Sequence, residues 1–358
     1  MKKLLLYSIL FASFNLSAQT KKVLFEEFTG TGCGNCPEGH YIMDGLLDTY
    51  PNVIGVGLHT YNASDAMSLP EIDTIGQAYA GGAPMAGTDR IFSGSSVAQI
   101  WTTWESDIQT RLAESPKLSV SLDVNWNDVT RLISTNITCD ILENLPSGDY
   151  RFNLYVVEDS VTGVGAGYDQ TSYYDSNPSS PFYGLGDPIV GYVHRHVARA
   201  ILPHSWGQGS IISSSPLTGE SFSTTINYTL PVSYNEDKIE LVAFVSEYTS
   251  DHLGDEVFNA EKAPLLDGPA GITSLSQETG FEVYPNPSDG IVSFEGTTSG
   301  KIRLYSATGQ TILFFDLKKG ANSIDLSSLP RGIYYANLIT YANLITESSS
   351  TTKKIVLY

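Results

Sequence analysis

Cys33 and Cys36 stand three apart at the end of a glycine-rich turn, in the segment 23–40: Val-Leu-Phe-Glu-Glu-Phe-Thr-Gly-Thr-Gly-Cys-Gly-Asn-Cys-Pro-Glu-Gly-His. An apolar strand leads into the turn. After Cys36, the residues Ile42, Met43, Leu46, Leu47 and Tyr50 recur at helical spacing. A C-x-x-C pair at a helix N-terminus meets free backbone N–H groups and the positive end of the helix dipole, which favour thiolate over thiol. Pro37 suits a first helical turn, where a missing N–H costs nothing. Such a pair can exchange disulfides, sit as a permanent disulfide or ligate a metal. Exchange needs an attacking thiolate, a leaving thiol and access.

Other residue types admit fewer roles. Cys33, Cys36 and His40 make a C-x-x-C-x-x-x-H half-site, but a closed zinc site takes four ligands and no second pair is visible. His194 and His196 alternate along an expected strand and would share a face, either as metal ligands or as two exposed residues beside a long loop. Haem attachment requires histidine where Pro37 stands. No metal or cofactor is therefore expected. Cys139 falls on the apolar face of an alternating strand with Ile133, Ile137 and Ile141, and reads as an inert core thiol. No H-E-x-x-H, G-x-S-x-G, P-loop or dinucleotide fingerprint occurs.

The elements that would position these residues fall into three blocks. Strand and helix alternate through about residue 115: an apolar strand over 53–59, a helix over 71–80 and an amphipathic helix from Val97. From Leu118 the apolar period becomes two, as in Leu118, Val120, Leu122 and Val124, or Ile239, Leu241, Ala243 and Val245, which reads as an antiparallel sandwich. One polar, aromatic loop interrupts it, opening at Gly163 and closing at Asp187; its tyrosines suit a protein or glycan ligand. A Gly/Ser/Thr-rich linker over 267–279 precedes a block of short strands over 280–358. Within that block Tyr-Ala-Asn-Leu-Ile-Thr is duplicated in tandem over 335–346, and one copy is expected to lack a full strand partner.

Lys2 and Lys3 before an apolar run, then Leu16-Ser17-Ala18, read as a cleavable leader over 1–18. No later stretch is long enough to span a membrane as a helix. The formal charge is -19, and it becomes more negative once Lys2 and Lys3 leave with the leader; nucleic acid is a disfavoured partner.

With these residues set out, two resemblances emerge. Segment 25–37 resembles the thioredoxin-like domain of the outer membrane protein 28-related family, which joins that domain to a β-sandwich; the strands from Leu118 to about Leu266 resemble the second part. The end of the chain is similar to the type A sorting domain of the type IX secretion system, through Val-Tyr-Pro-Asn-Pro-Ser-Asp-Gly at 283–290, Leu-Tyr-Ser-Ala-Thr-Gly-Gln at 304–310 and Leu-Pro-Arg-Gly-Ile-Tyr at 329–334. The expected architecture is thus multidomain: leader 1–18, thioredoxin-like α/β domain 19–115, antiparallel β-sandwich 116–266, linker 267–279 and all-β sorting module 280–358. The resemblance implies Cys33 as attacking sulfur, Cys36 as resolving sulfur, Glu27 as a buried proton acceptor and Pro84 as a cis-proline facing the disulfide. It departs from the pattern in having Gly32 where tryptophan is usual before the first cysteine, and in lacking an evident strand between Phe92 and the Val97 helix. It also implies a secreted or cell-surface location, with the type IX machinery as partner. Two functions remain open: a thiol–disulfide oxidoreductase-like activity, or a non-enzymatic surface binding protein with a structural disulfide.

Overall fold

The computed structural model describes residues 20–60, 64–94, 96–266, 281–296, 300–306, 311–339 and 350–357. The leader 1–18, the linker 267–279 and the second copy of the repeat lie outside them. The chain divides into two compact units, Met1–Pro269 and Ala270–Tyr358.

In the first unit the elements are β1 (Val23–Thr29), α1 (Cys36–Thr49), β2 (Val53–His59), α2 (Pro70–Tyr79), β3 (Met85–Thr88), β4 (Ala98–Gln99), α3 (Trp104–Leu112), β5 (Leu118–Asn127), β6 (Leu132–Ile141), β7 (Tyr150–Glu158), β8 (Val197–Leu202), β9 (Ser221–Thr229), β10 (Ile239–Glu247) and β11 (Val257–Pro264). Eight strands make one sheet in the order β11-β10-β7-β8-β2-β1-β3-β4. β1 and β2 are buried along their whole length because both faces of the sheet are covered there. Val23 and Phe25 pack under α1 and α3 with Met43, Trp104 and Ile108. Leu24 and Phe28 point to the other face, against Ile72, Ile75 and Tyr79 of α2.

The boundary expected at 115/116 does not separate two sheets. β8 pairs in parallel with β2 at Gly57 and Val197, and β7, β10 and β11 extend the same sheet outward. An unpaired β2 edge would be a row of free N–H and C=O groups, and β8 closes it. The sandwich is real, but one of its layers is this shared sheet. Leu118, Ile133, Ile137 and Cys139 of the β5-β6-β9 sheet pack on Phe152, Leu154, Leu241 and Ala243. Cys139 is fully buried and unbonded, and burial pushes its thiol up to about 12.

The helix expected from Val97 begins at Trp104 instead. Residues 98–99 pair with Gly87 and Ala86 of β3 and supply a short strand where none was evident. The Trp104 indole donates to the Gln99 carbonyl at 2.9 Å, which fixes the turn between strand and helix.

Asp89 and Arg90, just past β3, both adopt left-handed φ values of 48° and 54°. Non-glycine residues hold that conformation only where their surroundings over-determine it. The Arg90 guanidinium donates to both oxygens of Glu26 at 2.8 Å and to the Tyr155 hydroxyl at 2.6 Å, with all three side chains buried. Asp89 accepts from Lys21 Nζ at 2.7 Å, from Arg111 Nε at 2.9 Å and from the Leu24 amide at 2.8 Å. β1 is thereby tied to the segment after β3 by the Glu26–Arg90 ion pair as well as by its ladder with β3, to β7 through the Tyr155 hydroxyl, and to α3 through Asp89.

The second unit comprises β12 (Phe281–Tyr284), β13 (Ile291–Gly296), β14 (Gly300–Ser306), β15 (Thr311–Leu317), β16 (Gly320–Asp325), β17 (Gly332–Ile339) and β18 (Ser350–Leu357). They form sheets β12-β13-β16 and β15-β14-β17-β18 around Val292, Phe294, Ile302, Leu304, Ala336 and Ile355. The first copy of the repeat lies in β17 through Ile339, which pairs with both β14 and β18.

Replacing Arg90 with methionine leaves Glu26 buried without its counter-charge. A loss of about 3–5 kcal/mol in the stability of the first unit is expected, read as a lowered denaturant midpoint.

Candidate functional site

The turn between β1 and α1 carries a Cys33–Cys36 disulfide with Cα atoms 5.3 Å apart, and Cys36 is the first residue of α1. Three backbone bonds tighten it: Cys33 N to Gly30 O, Cys36 N to Cys33 O, and Glu38 N to Asn35 O. Asp65 fixes its front, accepting from Thr31 N at 2.8 Å and sharing a 2.7 Å bond with His59 Nδ1. Burial alone would raise the Asp65 carboxyl, but the bonds from His59, Thr31 and Met67 hold it below the usual range. The site lies at the carboxyl ends of the parallel strands β1 and β2, where open α/β sheets place their ligand sites.

Alternation along β1 puts Glu27 under α1, opposite in direction to Glu26. It is fully buried, and neither carboxylate oxygen has a hydrogen-bond partner. Burial, with Asp44 nearby, raises its proton affinity well above the ordinary carboxylate value. Gly39 makes the approach possible: a Cβ there would collide with Glu27 Oε1 and come within 2.7 Å of Pro84 Cβ. Pro84 thus faces the same helical turn as Glu27, and the Ala83–Pro84 peptide bond is cis.

Three histidines cluster beside this acid, of which His40 is the one that approaches it. His40 Nε2 shares a 2.7 Å bond with Thr29 Oγ1 and lies 4.0 Å from Glu27 Oε2; its Nδ1 meets the Tyr192 hydroxyl at 3.0 Å. His194 and His59 touch edge to face at 5.3 Å between centroids. His194 Nε2 donates to the Tyr168 carbonyl, which can only accept, so Nδ1 is the bare nitrogen, and it has no partner. Burial, reinforced by the other histidines, holds His40 well below its ordinary value, and burial together with His59 brings His194 to about 4.

The expected pairing of His194 with His196 on one strand face fails. β8 starts only at Val197, and His196 takes a φ of 55°, which breaks the two-residue alternation. His194 turns into the buried cluster, whereas His196 turns out to Asp44 at 3.3 Å. Among the described residues, no group of three or more His, Cys, Asp or Glu is arranged to hold a metal ion.

The polar, aromatic loop that opens at Gly163, whose tyrosines suit a ligand, is also a cover over the disulfide. Thr171 N donates to Thr31 O at 2.8 Å, and Tyr173 N to Gly34 O at 2.9 Å. The Tyr173 ring lies on Gly34, where an added Cβ would meet it at 2.5 Å. Gln170, wholly buried, directs its amide nitrogen at the carbonyls of Cys33 (2.9 Å), Thr171, Gly30 and Thr31. Cys33 is consequently 3% exposed and Cys36 0%. Main-chain contacts of this kind leave no signature in residue type. Only the length of the loop and its one glutamine could have hinted at it.

The disulfide opens α1, the helix that covers the unpartnered Glu27, and both of its cysteines are buried. The described helices include none long and apolar enough to cross a membrane.

Comparison with known proteins places residues 73–265, more than half of the chain, on the family model described as outer membrane protein Omp28. Residues 282–358 match the secretion system C-terminal sorting domain. The first match opens inside α2, so the cysteine turn precedes it while the covering loop lies within it. No curated protein matches. Among solved structures, HBP35 of Porphyromonas gingivalis is similar over 95% of this chain and 99% of its own, at 18% identity and a TM-score of 0.55. That likeness concerns the fold alone. A domain of the outer membrane lipoprotein Omp28 from the same organism aligns over 42% of this chain and 90% of its own, at 16% identity and a TM-score of 0.24.

The buried neutral groups set the pH response of the first unit. The unfolded chain protonates His194 near 6.5, whereas the folded chain does so only near 4. Stability is therefore full above about 6.5 and falls as the pH drops toward 4, by about 3 kcal/mol from this residue. Glu27 acts oppositely, its contribution being lost as pH rises through its elevated value. Denaturant titrations at pH 7, 5.5 and 4 should show the acid loss, flattened in His194→Gln. Glu27→Gln should be more stable than the parent at pH 8 and no better at pH 4.

Proposed function

This chain belongs to the outer membrane protein Omp28 family, and on that premise we propose that it is a non-enzymatic surface protein whose Cys33–Cys36 disulfide staples the site together. The chain is a secreted or cell-surface protein, because a sorting domain of the secretion system follows the family region. One observation carries the reading of the disulfide: both cysteines are buried beneath the loop that holds Gln170 and Tyr173. Exchange requires access to a sulfur, and the closed state offers none. The outer surface of that loop, with Tyr173, Tyr183, Leu185 and Val190 exposed, is the face available to a protein or glycan ligand.

A second reading, a thioredoxin-like domain with oxidoreductase-like activity, is favoured by one specific observation. Glu27 is buried without a hydrogen-bond partner, beside Pro84 and beneath the helix that begins at Cys36. A purely structural site gains nothing from an acid kept in that state. Cys33 would then be the attacking sulfur, Cys36 the resolving one and Glu27 the proton acceptor.

The two readings separate on Cys36→Ser. The stapled protein yields no mixed disulfides on Cys33 when the variant is incubated with surface extract and resolved without reductant; a ladder of trapped adducts would establish the exchanging one. As a staple across so short a loop, the bond contributes about 2 kcal/mol, so the double variant Cys33→Ala/Cys36→Ala should lose that much unfolding free energy, read as a lowered denaturant midpoint.

A further inference from the structure

We propose that the segment from Tyr168 to Tyr192 is a displaceable cap, and that its opening is what admits an external thiol to the Cys33–Cys36 disulfide. The inference goes beyond the staple reading and does not require that the protein be an enzyme.

The argument rests on how the cap is attached. None of the apolar clusters of the first unit draws a residue from 169–196. Only Tyr168, at the root, packs on the small group of Met67, Val161 and Val197. What holds the cap over the cysteines is chiefly hydrogen bonding: Thr171 N on Thr31 O, Tyr173 N on Gly34 O, the Gln170 amide on Cys33 O, and the Tyr192 hydroxyl on His40. Its apolar contacts are few, namely the buried Ile189, the Tyr173 ring on Gly34 and Phe182 edge to face with Tyr41. Hydrogen bonds traded against water contribute little net, and segments with few buried apolar contacts open well below the cost of global unfolding. Gln170 is also imperfectly satisfied, since its buried Oε1 has no partner. The strands beneath, by contrast, sit in continuous apolar cores on both faces. The sheet and the cysteine turn therefore persist while the cap lifts.

With the cap raised, a small dithiol can act on the bond. One of its thiolates attacks Cys33 Sγ, the more exposed sulfur, and the Cys33–Cys36 bond breaks with Cys36 leaving as thiolate. The second thiol then attacks its own half of the mixed disulfide and releases Cys33. The reductant departs as a cyclic disulfide, having given two electrons and two protons to the cysteine pair.

The test is the rate of reduction of the intact, oxidised chain by dithiothreitol, followed by maleimide mass shift. The unfolded chain reports the rate for an uncovered bond. Wild type should react at least 100-fold more slowly than the unfolded chain. Gln170→Ala, and Thr171→Pro which deletes one N–H of the seam, should each recover 10-fold or more with an unchanged unfolding midpoint. Equal rates for wild type and unfolded chain, or for wild type and both variants, would overturn the proposal. Hydrogen exchange on the unaltered chain covers the case in which a variant does not fold. The Thr171 and Tyr173 amides should exchange at least 100-fold faster than amides of β1 and β2, and equal protection would count against a separately opening cap. Fast reduction of the variants without any trapped adduct on Cys36→Ser would leave the cap standing and remove the oxidoreductase reading.

Discussion

The bidentate ion pair between Arg90 and Glu26 is the constraint on which the first unit turns. It lies inside the α2 face of the sheet, shared with the Tyr155 hydroxyl, and Arg90 stacks 5.0 Å from the Phe244 ring. Because side chains alternate along a strand, fixing Glu26 on that face puts Glu27 on the other, under α1. A slip of one residue would bring Glu27 to Arg90 and leave Glu26 beneath the helix. Two adjacent glutamates thus have opposite fates: one is paired with Arg90, the other isolated and driven toward its neutral form. The left-handed Asp89–Arg90 step makes this possible, since it sends the two charged side chains to different partners.

The site above Glu27 is an enclosed place in which burial dominates over pairing. Glu27, His40 and His194 are each pushed toward neutrality mainly by loss of solvent. Asp65 escapes because three donors converge on it. The loop closes over the disulfide largely through hydrogen bonds to its main chain, whereas α1 and Pro84 close over Glu27. The cluster's neutrality and the burial of the disulfide therefore have separate main causes, which meet where Tyr192 reaches His40.

Much of the local architecture was legible in the sequence. The switch from strand to glycine-rich turn to helical spacing located α1 and its cysteines. The period-two runs located β5, β6, β7, β9 and β10, and the punctuated C-terminal block proved all-β. What was not legible is non-local. Nothing in 53–59 announces that its open edge will be filled by 197–202, so the shared sheet was read as two domains. β4 is two residues long and merged with the following helical pattern. His194 and His196 were assigned one face because alternation was assumed through a residue whose left-handed backbone ends it. That the long loop also covers Cys33 is not written in its residue types, because carbonyls and amides recognise one another whatever side chains they carry.

The seam joining Gln170 to Cys33 spans 137 positions of sequence, whereas the two cysteines are separated by three. Contacts so unequal in range do not arise together: closing a short loop is faster and entropically easier than recruiting a distant one. As the chain folds, the two sulfurs can meet each other before the stretch that covers them docks. The encounter that the bond requires is thus a local event of the chain, and its sealing a long-range one. The two are decided by different stretches of the polypeptide, so oxidation and closure can be separated in time.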